Sequence, residues 1–191
     1  SFYELKRKAL KKYFGRMNEK QKEAVFAVNG PVLVLAGAGS GKTTVIVNRN
    51  ANMINFGDAY YDDSYQGSAE DCRFLENYIN GSDADLEQLR ETIAVRPIKP
   101  WNILAITFTN KAAGELKERL RTLLGEDGDN INAATFHSAC VRILRREIDK
   151  LGYQSSFTIY DSDDSQRVVK ACMNELGVSE KQFPPRSVLS E

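Results

Sequence analysis

The sequence predicts an α/β fold, a parallel sheet flanked by helices, and three observations carry that expectation. Residues 32–35, 101–109 and 131–136 are apolar runs too short for helices, of the kind expected in parallel strands covered on both faces. Stretches with apolar residues at helical spacing follow each of them, and such alternation favours right-handed strand–helix–strand crossovers. A glycine-rich turn ending in Lys42-Thr43 lies between the first run and its helix, where an open sheet presents backbone amides to phosphate.

In order, Phe2, Leu5, Ala9, Tyr13 and Phe14 mark an amphipathic helix surrounded by Lys6, Arg7, Lys8, Lys11 and Lys12, read as a docked helix with a solvated basic face. Asn18 caps a second helix whose stripe Ala24, Val25, Val28 is broken by Asn29-Gly30-Pro31. The strand Val32-Leu33-Val34-Leu35 comes next, then a helix bearing Val45, Ile46 and Ile54 that ends near Phe56-Gly57. Two short helices are expected near 69–79 and 83–92. The second strand carries Ile103, Leu104, Ala105, Ile106 and Phe108, and Thr109 or Asn110 caps the helix of Ala113, Leu116, Leu120 and Leu124. The third, weaker strand leads into a helix with Cys140, Ile143, Leu144, Ile148 and Leu151. Phe157-Thr158-Ile159-Tyr160 is extended, and a helix from Ser162 to Leu176 stops at Gly177. The apolar pattern begun at Val188-Leu189 ends at Glu191, as in a truncated chain.

With 191 residues, 42% hydrophobic and 27% charged, the chain is expected to be globular. It contains neither a membrane-spanning run of roughly 20 apolar residues nor a signal-peptide core at its start, so the expected location is cytoplasmic. Cys72, Cys140 and Cys172 are widely spaced and His137 is the single histidine, which argues against a zinc site or a disulfide framework. The net charge is zero, yet residues 57–97 hold ten acidic side chains against three basic ones, so this segment is −7 and the remainder +7. Because screening acts over about 10 Å, the basic body can still attract a polyanion.

The turn Ala36-Gly37-Ala38-Gly39-Ser40-Gly41-Lys42-Thr43 fits the phosphate-loop pattern Gly-x-x-x-x-Gly-Lys-Ser/Thr, with alanine in place of its first glycine. The glycines keep the backbone open so that its N–H groups and a helix N-terminus face the phosphates. Lys42 would supply charge to the β and γ phosphates of ATP, and the Thr43 hydroxyl would hold Mg²⁺. Lys42 and Thr43 are therefore the candidate catalytic residues, and 36–44 with Gln21 the candidate nucleotide site.

These segments together resemble the N-terminal part of UvrD/PcrA/Rep-type superfamily 1 DNA helicases, over 17–56 and 99–187. The resemblance implies a P-loop, RecA-like lobe over 1–160, interrupted by the acidic insertion 57–97, with the start of an inserted helical subdomain at 161–191. Met17-Asn18-Glu19-Lys20-Gln21 is similar to the family's Q motif and gives Gln21 the task of reading the adenine edge, which its donor-plus-acceptor amide suits. Ile106-Thr107-Phe108-Thr109-Asn110 resembles motif Ia, with Phe108 as a platform for a DNA base and Thr107 and Asn110 beside it. Ala134-Thr135-Phe136-His137-Ser138, continuing to Arg142, resembles motif Ib, in which Thr135 and His137 would grip the DNA backbone. Arg142, Arg145, Arg146 and Lys150 suit either a phosphate track or the wet face of a helix.

Two departures from the family stand out. Thr44 occupies the position where many members have an arginine over the adenine, and no Glu follows Asp161 to make the Asp-Glu pair that hydrolysis needs. The resemblance thus implies an ATP-driven helicase or translocase moving 3′ to 5′ on single-stranded DNA or a single/double-strand junction, serving repair or replication, with this stretch binding ATP but hydrolysing it poorly alone. The insertion 57–97 could meet a protein partner. The alternatives are a P-loop phosphotransferase and a non-catalytic, nucleotide-responsive DNA-binding module.

Overall fold

In the computed structural model, residues 1–37 and 39–190 are described. They form two compact units, Ser1–Ala139 and Cys140–Glu191.

The first unit begins with α1 (Phe2–Tyr13), α2 (Glu19–Phe26), α3 (Lys42–Asn55), α4 (Ala69–Ile79) and α5 (Leu86–Ile93). It continues through β1 (Leu104–Thr107), α6 (Asn110–Leu124), the single turn α7 (Glu126–Asp129) and β2 (Asn132–Thr135). Helix starts follow local chemistry: Ser1, Asn18 and Ser68 each close a reciprocal capping box with the residue three positions on, Glu4, Gln21 and Asp71.

Two hydrophobic cores meet on opposite faces of α3. The first is aromatic. Phe26 stacks on Tyr60 with ring centroids 4.0 Å apart, and Phe14 meets both Phe26 and Phe56 edge-on. Leu10, Val25, Leu75, Leu89 and Ile93 complete this core, all 2% exposed or less. The acidic segment is thus more than surface decoration: α4 packs along α1, and its Leu75 shares this core with Leu10. Lys6 of α1 is buried as well, its ammonium donating to the Asp62 carbonyl at 2.6 Å, and burial lowers its pKa. Arg96 bridges to Asp58 at 2.6 Å and Asp62 at 3.4 Å. Where 57 pairs with 95, the backbones approach so closely that a Cβ on Gly57 would stand 1.9 Å from the Val95 carbonyl oxygen; φ there is +63°. Only glycine fits such a position.

The second core lies between the other face of α3, through Val47 and Ile54, and the sheet with α6, through Ile103, Ala105, Leu116, Leu120, Ile131 and Ala133. Among the described residues the sheet has two strands, β1 and β2, parallel and in register Leu104↔Asn132 to Thr107↔Thr135. The expected parallel, helix-flanked arrangement is therefore present in small form. The expected strand at 32–35 is not. Val32, Leu33, Val34 and Leu35 carry no ladder and are 42%, 82%, 44% and 86% exposed. A strand is stabilised by hydrogen bonds to a neighbour, and no described strand runs alongside these residues. The second expected strand is also shorter: a 3₁₀ turn, Pro100–Asn102, precedes it, and Leu104 and Ile106 face solvent.

Helix α8 (Phe136–Glu147) carries the chain into the second unit, which contains a 3₁₀ turn (Ile148–Leu151), α9 (Ser162–Glu175) and α10 (Pro185–Ser190). The piece 157–160 is extended without pairing, and Arg145 lies over the Phe157 ring, 4.5 Å from its centroid. Asp161 caps α9, accepting from the Asp163 and Asp164 amides at 2.9 and 2.8 Å. Those amide bonds, first that of Asp164, hold its carboxyl below the ordinary aspartate range. A carboxylate whose pKa is depressed on folding contributes stability above its unfolded pKa and loses it as pH falls through the folded value. Circular dichroism between pH 6 and pH 2 is accordingly expected to show α9 fraying only below about pH 4, whereas Asp161→Asn removes that acid transition. No described helix is long and apolar enough to cross a membrane.

Candidate nucleotide site and nucleic-acid edge

The turn after the 32–35 run and the helix it opens form the candidate nucleotide site. Gly39 and Gly41 adopt φ of +75° and +81°, and Gly41 is the N-cap of α3. Lacking a side chain, it cannot cap the helix, so the first-turn amides of α3 stay open to a ligand. Helices α1, α2, α4 and α9 instead satisfy theirs with their own side chains. The ammonium of Lys42 donates to the carbonyls of Ala36, at 3.0 Å, and Gly37, at 2.6 Å, and the Ser40 hydroxyl also donates to Gly37, at 2.7 Å. The loop is thereby drawn around its own lysine. Thr43 and Thr44 are exposed on the first turn, and among the described residues the Thr43 hydroxyl has no protein partner. Ala38, assigned to the loop from the sequence, lies outside the described residues.

Gln21 reaches this loop. Its amide nitrogen donates to the Ser40 carbonyl at 3.2 Å while its oxygen accepts from the Asn18 amide at 3.1 Å. One side chain therefore closes the capping box of α2 and ties that helix to the turn. Sequence reasoning missed Arg49, which ties α3 to the end of α2: its guanidinium donates to the carbonyls of Ala24, at 2.7 Å, and Ala27. Burial lowers its pKa from the ordinary arginine value. No local pattern marks it, because its partners are backbone atoms of another helix.

This site can do anion chemistry with few protein groups. It offers open amides, one ammonium and one hydroxyl suited to a cation already held by phosphate oxygens. Among the described residues no cluster of three His, Cys, Asp or Glu could hold a metal by itself. The exposed Thr43 hydroxyl is of a kind that fits a magnesium ion arriving with a triphosphate.

The nucleic-acid candidates gather at the C-terminal ends of the two strands. Thr107 pairs in register with Thr135, so the residues that follow them emerge side by side. Phe108 is 92% exposed, too open for the plain core role that an aromatic at a strand end usually has. Asn110 opens α6 behind the Thr109 cap, whose hydroxyl accepts from the Ala112 amide. Thr135 is buried, exchanging hydrogen bonds with Ser138 at 2.9 and 3.2 Å, so its hydroxyl shapes the turn into α8 rather than facing solvent. His137 is exposed, and its neighbour Phe136 is 52% exposed at the position matching Phe108. Arg142 lies in the second unit, exposed on α8.

Comparison with known proteins finds ATP-dependent DNA helicases among the relatives of this chain. The ATP-dependent DNA helicase PcrA of Bacillus subtilis (strain 168) is 40% identical over 173 residues, covering 91% of this chain and 18% of that protein. The proteins of the same name from Staphylococcus aureus (strain Mu50) and Staphylococcus epidermidis are each 38% identical over 170 residues, 89% of this chain and again 18% of theirs. The chain thus spans less than a fifth of the length of these relatives. Residues 17–62 and 86–191 match the UvrD/REP helicase N-terminal domain, leaving α1 and most of the stretch around α4 outside the match, and on that coverage the chain belongs to this helicase family.

Proposed function

We propose that this chain is the ATP-binding part of an ATP-dependent DNA helicase or translocase that works along single-stranded DNA in the 3′ to 5′ direction, in DNA repair or replication in the cytoplasm. The observation that carries the reading is the uncapped start of α3, with Lys42 beside it and the turn tied to α2 through Gln21. ATP supplies phosphate oxygens for the amides of α3 and for Lys42, and Mg²⁺ reaches the Thr43 hydroxyl with them. Gln21 gives up its bond to Ser40 when it turns to the adenine. The strand ends carrying Thr107, Phe108, Asn110 and His137 take the DNA, with Thr135 holding the turn into α8, and Arg142 contacts a DNA phosphate.

The fused arrangement of turn, α3 and sheet lets a change at the triphosphate reach the DNA edge, because α3 shares its second core with β1, β2 and α6. The test is ATP turnover by the full-length protein with and without single-stranded DNA. Stimulation by DNA is expected. A protein that turns over ATP equally well in its absence would fit the phosphotransferase reading instead, and DNA binding with no turnover would fit a non-catalytic module.

Phe108→Ala is expected to weaken single-strand binding about 5- to 150-fold, the worth of one stacked base. Nucleotide affinity and thermal stability should hold, since so exposed a ring contributes little to packing. Fluorescence anisotropy with a labelled oligonucleotide measures the first and a thermal melt the second.

A further inference from the structure

Helix α2 is eight residues long, and it meets the glycine-rich turn at one end and α3 at the other. At its start the Gln21 amide donates to the Ser40 carbonyl at 3.2 Å. At its other end the last carbonyls have no further helical turn above them, and the last turn of α2 holds no basic side chain of its own. Arg49 supplies the donor from α3: one guanidinium nitrogen donates to Ala24, at 2.7 Å, and to Ala27. Asn52, one turn further along α3, adds a longer bond to the Val25 carbonyl at 3.3 Å.

Among the described residues no carboxylate pairs with Arg49, and burial is the one influence on its pKa. A cation withdrawn from water is costly unless it is hydrogen-bonded, and here the compensating groups are the carbonyls at the negative end of α2. Lys42 and Arg49 stand two turns apart on one helix, roughly 10 Å along its axis. The links therefore close on themselves. Ser40 leads into α3, Arg49 joins α3 to the end of α2, and α2 brings Gln21 back to Ser40. Val25 and Val45 also share the first core, but apolar burial has no direction, whereas the bonds from Arg49 fix where along α3 the end of α2 sits.

We propose that Arg49 is a positioning residue for nucleotide selection: by fixing the end of α2 on α3, it holds Gln21 at the place from which its amide meets adenine in preference to guanine. The proposal rests on reading Gln21 as the adenine contact. Arg49 acts on the nucleotide only through α2.

The test measures kcat/KM for ATP and for GTP in the full-length protein, with a thermal melt on each variant. Arg49→Met keeps much of the stem and removes the donors, and it is expected to lower the preference for ATP over GTP about 2- to 10-fold, the worth of one hydrogen bond. Gln21→Ala is expected to shift the preference in the same direction. In Arg49→Met the KM for ATP should change more than kcat, because Lys42 and Thr43 are carried by α3 itself. Leu89→Ala, which damages the first core from α5, is expected to lower the melting temperature and keep the preference. An unaltered preference in Arg49→Met beside a lowered one in Gln21→Ala overturns the proposal and leaves the adenine reading standing, as does an equal fall in Leu89→Ala. An unaltered preference in Gln21→Ala removes the adenine reading and the proposal with it. If Arg49→Met does not fold, Arg49→Gln, whose shorter amide reaches one carbonyl at most, is read against the same outcomes. Loss of folding in both makes Arg49 a stability residue and overturns the proposal.

Discussion

Replacing Lys42 by alanine is expected to reduce ATP turnover of the full-length protein by at least about 10²- to 10³-fold, the loss seen when one preorganised electrostatic contact to the reacting group is removed. The ammonium lies within 3.0 Å of the loop carbonyls of Ala36 and Gly37, so it both holds the turn and stands where the β and γ phosphates would arrive. The fold should survive, because the side chain is exposed and neither core includes it. Steady-state hydrolysis together with a thermal melt separates these effects. Normal turnover in a folded Lys42→Ala protein would remove the phosphate role, while loss of folding would show that the lysine acts through the shape of the turn.

Phe26→Ala is expected to destabilise the first unit by about 3–5 kcal/mol, the usual cost of truncating a buried aromatic. Phe26 is 1% exposed, stacked on Tyr60 and edge-on to Phe14, so the change opens a void between three segments at once. For a domain of this size such a loss lowers the melting temperature by roughly 6–20 °C. Because Phe26 ends the helix that bears Gln21, the damaged core should also loosen the link from α2 to Ser40. Nucleotide affinity is therefore expected to fall alongside stability, even though Phe26 lies outside the turn 36–43. A melt and a nucleotide titration on the same sample check both.

Much of this could be read along the chain. Apolar spacing located α1, α2, α3 and α6 closely, and Asn18, Thr109 and Ser162's neighbour Asp161 act as caps. These depend on interactions within four residues, which a linear sequence displays directly. The run 32–35 is the contrary case: its composition is that of a buried strand, but pairing depends on a neighbour distant in sequence. Thr135 and Phe108 show the same limit at the site. The motif resemblance offers both to DNA, and the fold buries the first in a turn while leaving the second almost wholly exposed.

The sequence by itself determined most helices, several of their caps, the glycine-rich turn before α3 and the family, because each is written in short-range patterns of residue type. Only the tertiary structure decided that α4 of the acidic stretch docks on α1, that Gln21 fastens α2 to the glycine-rich turn at Ser40, and that Arg49 fastens α3 to the end of α2. Those relations join residues up to several dozen positions apart through backbone carbonyls and packed apolar faces, and such partners leave no periodicity for the sequence to reveal.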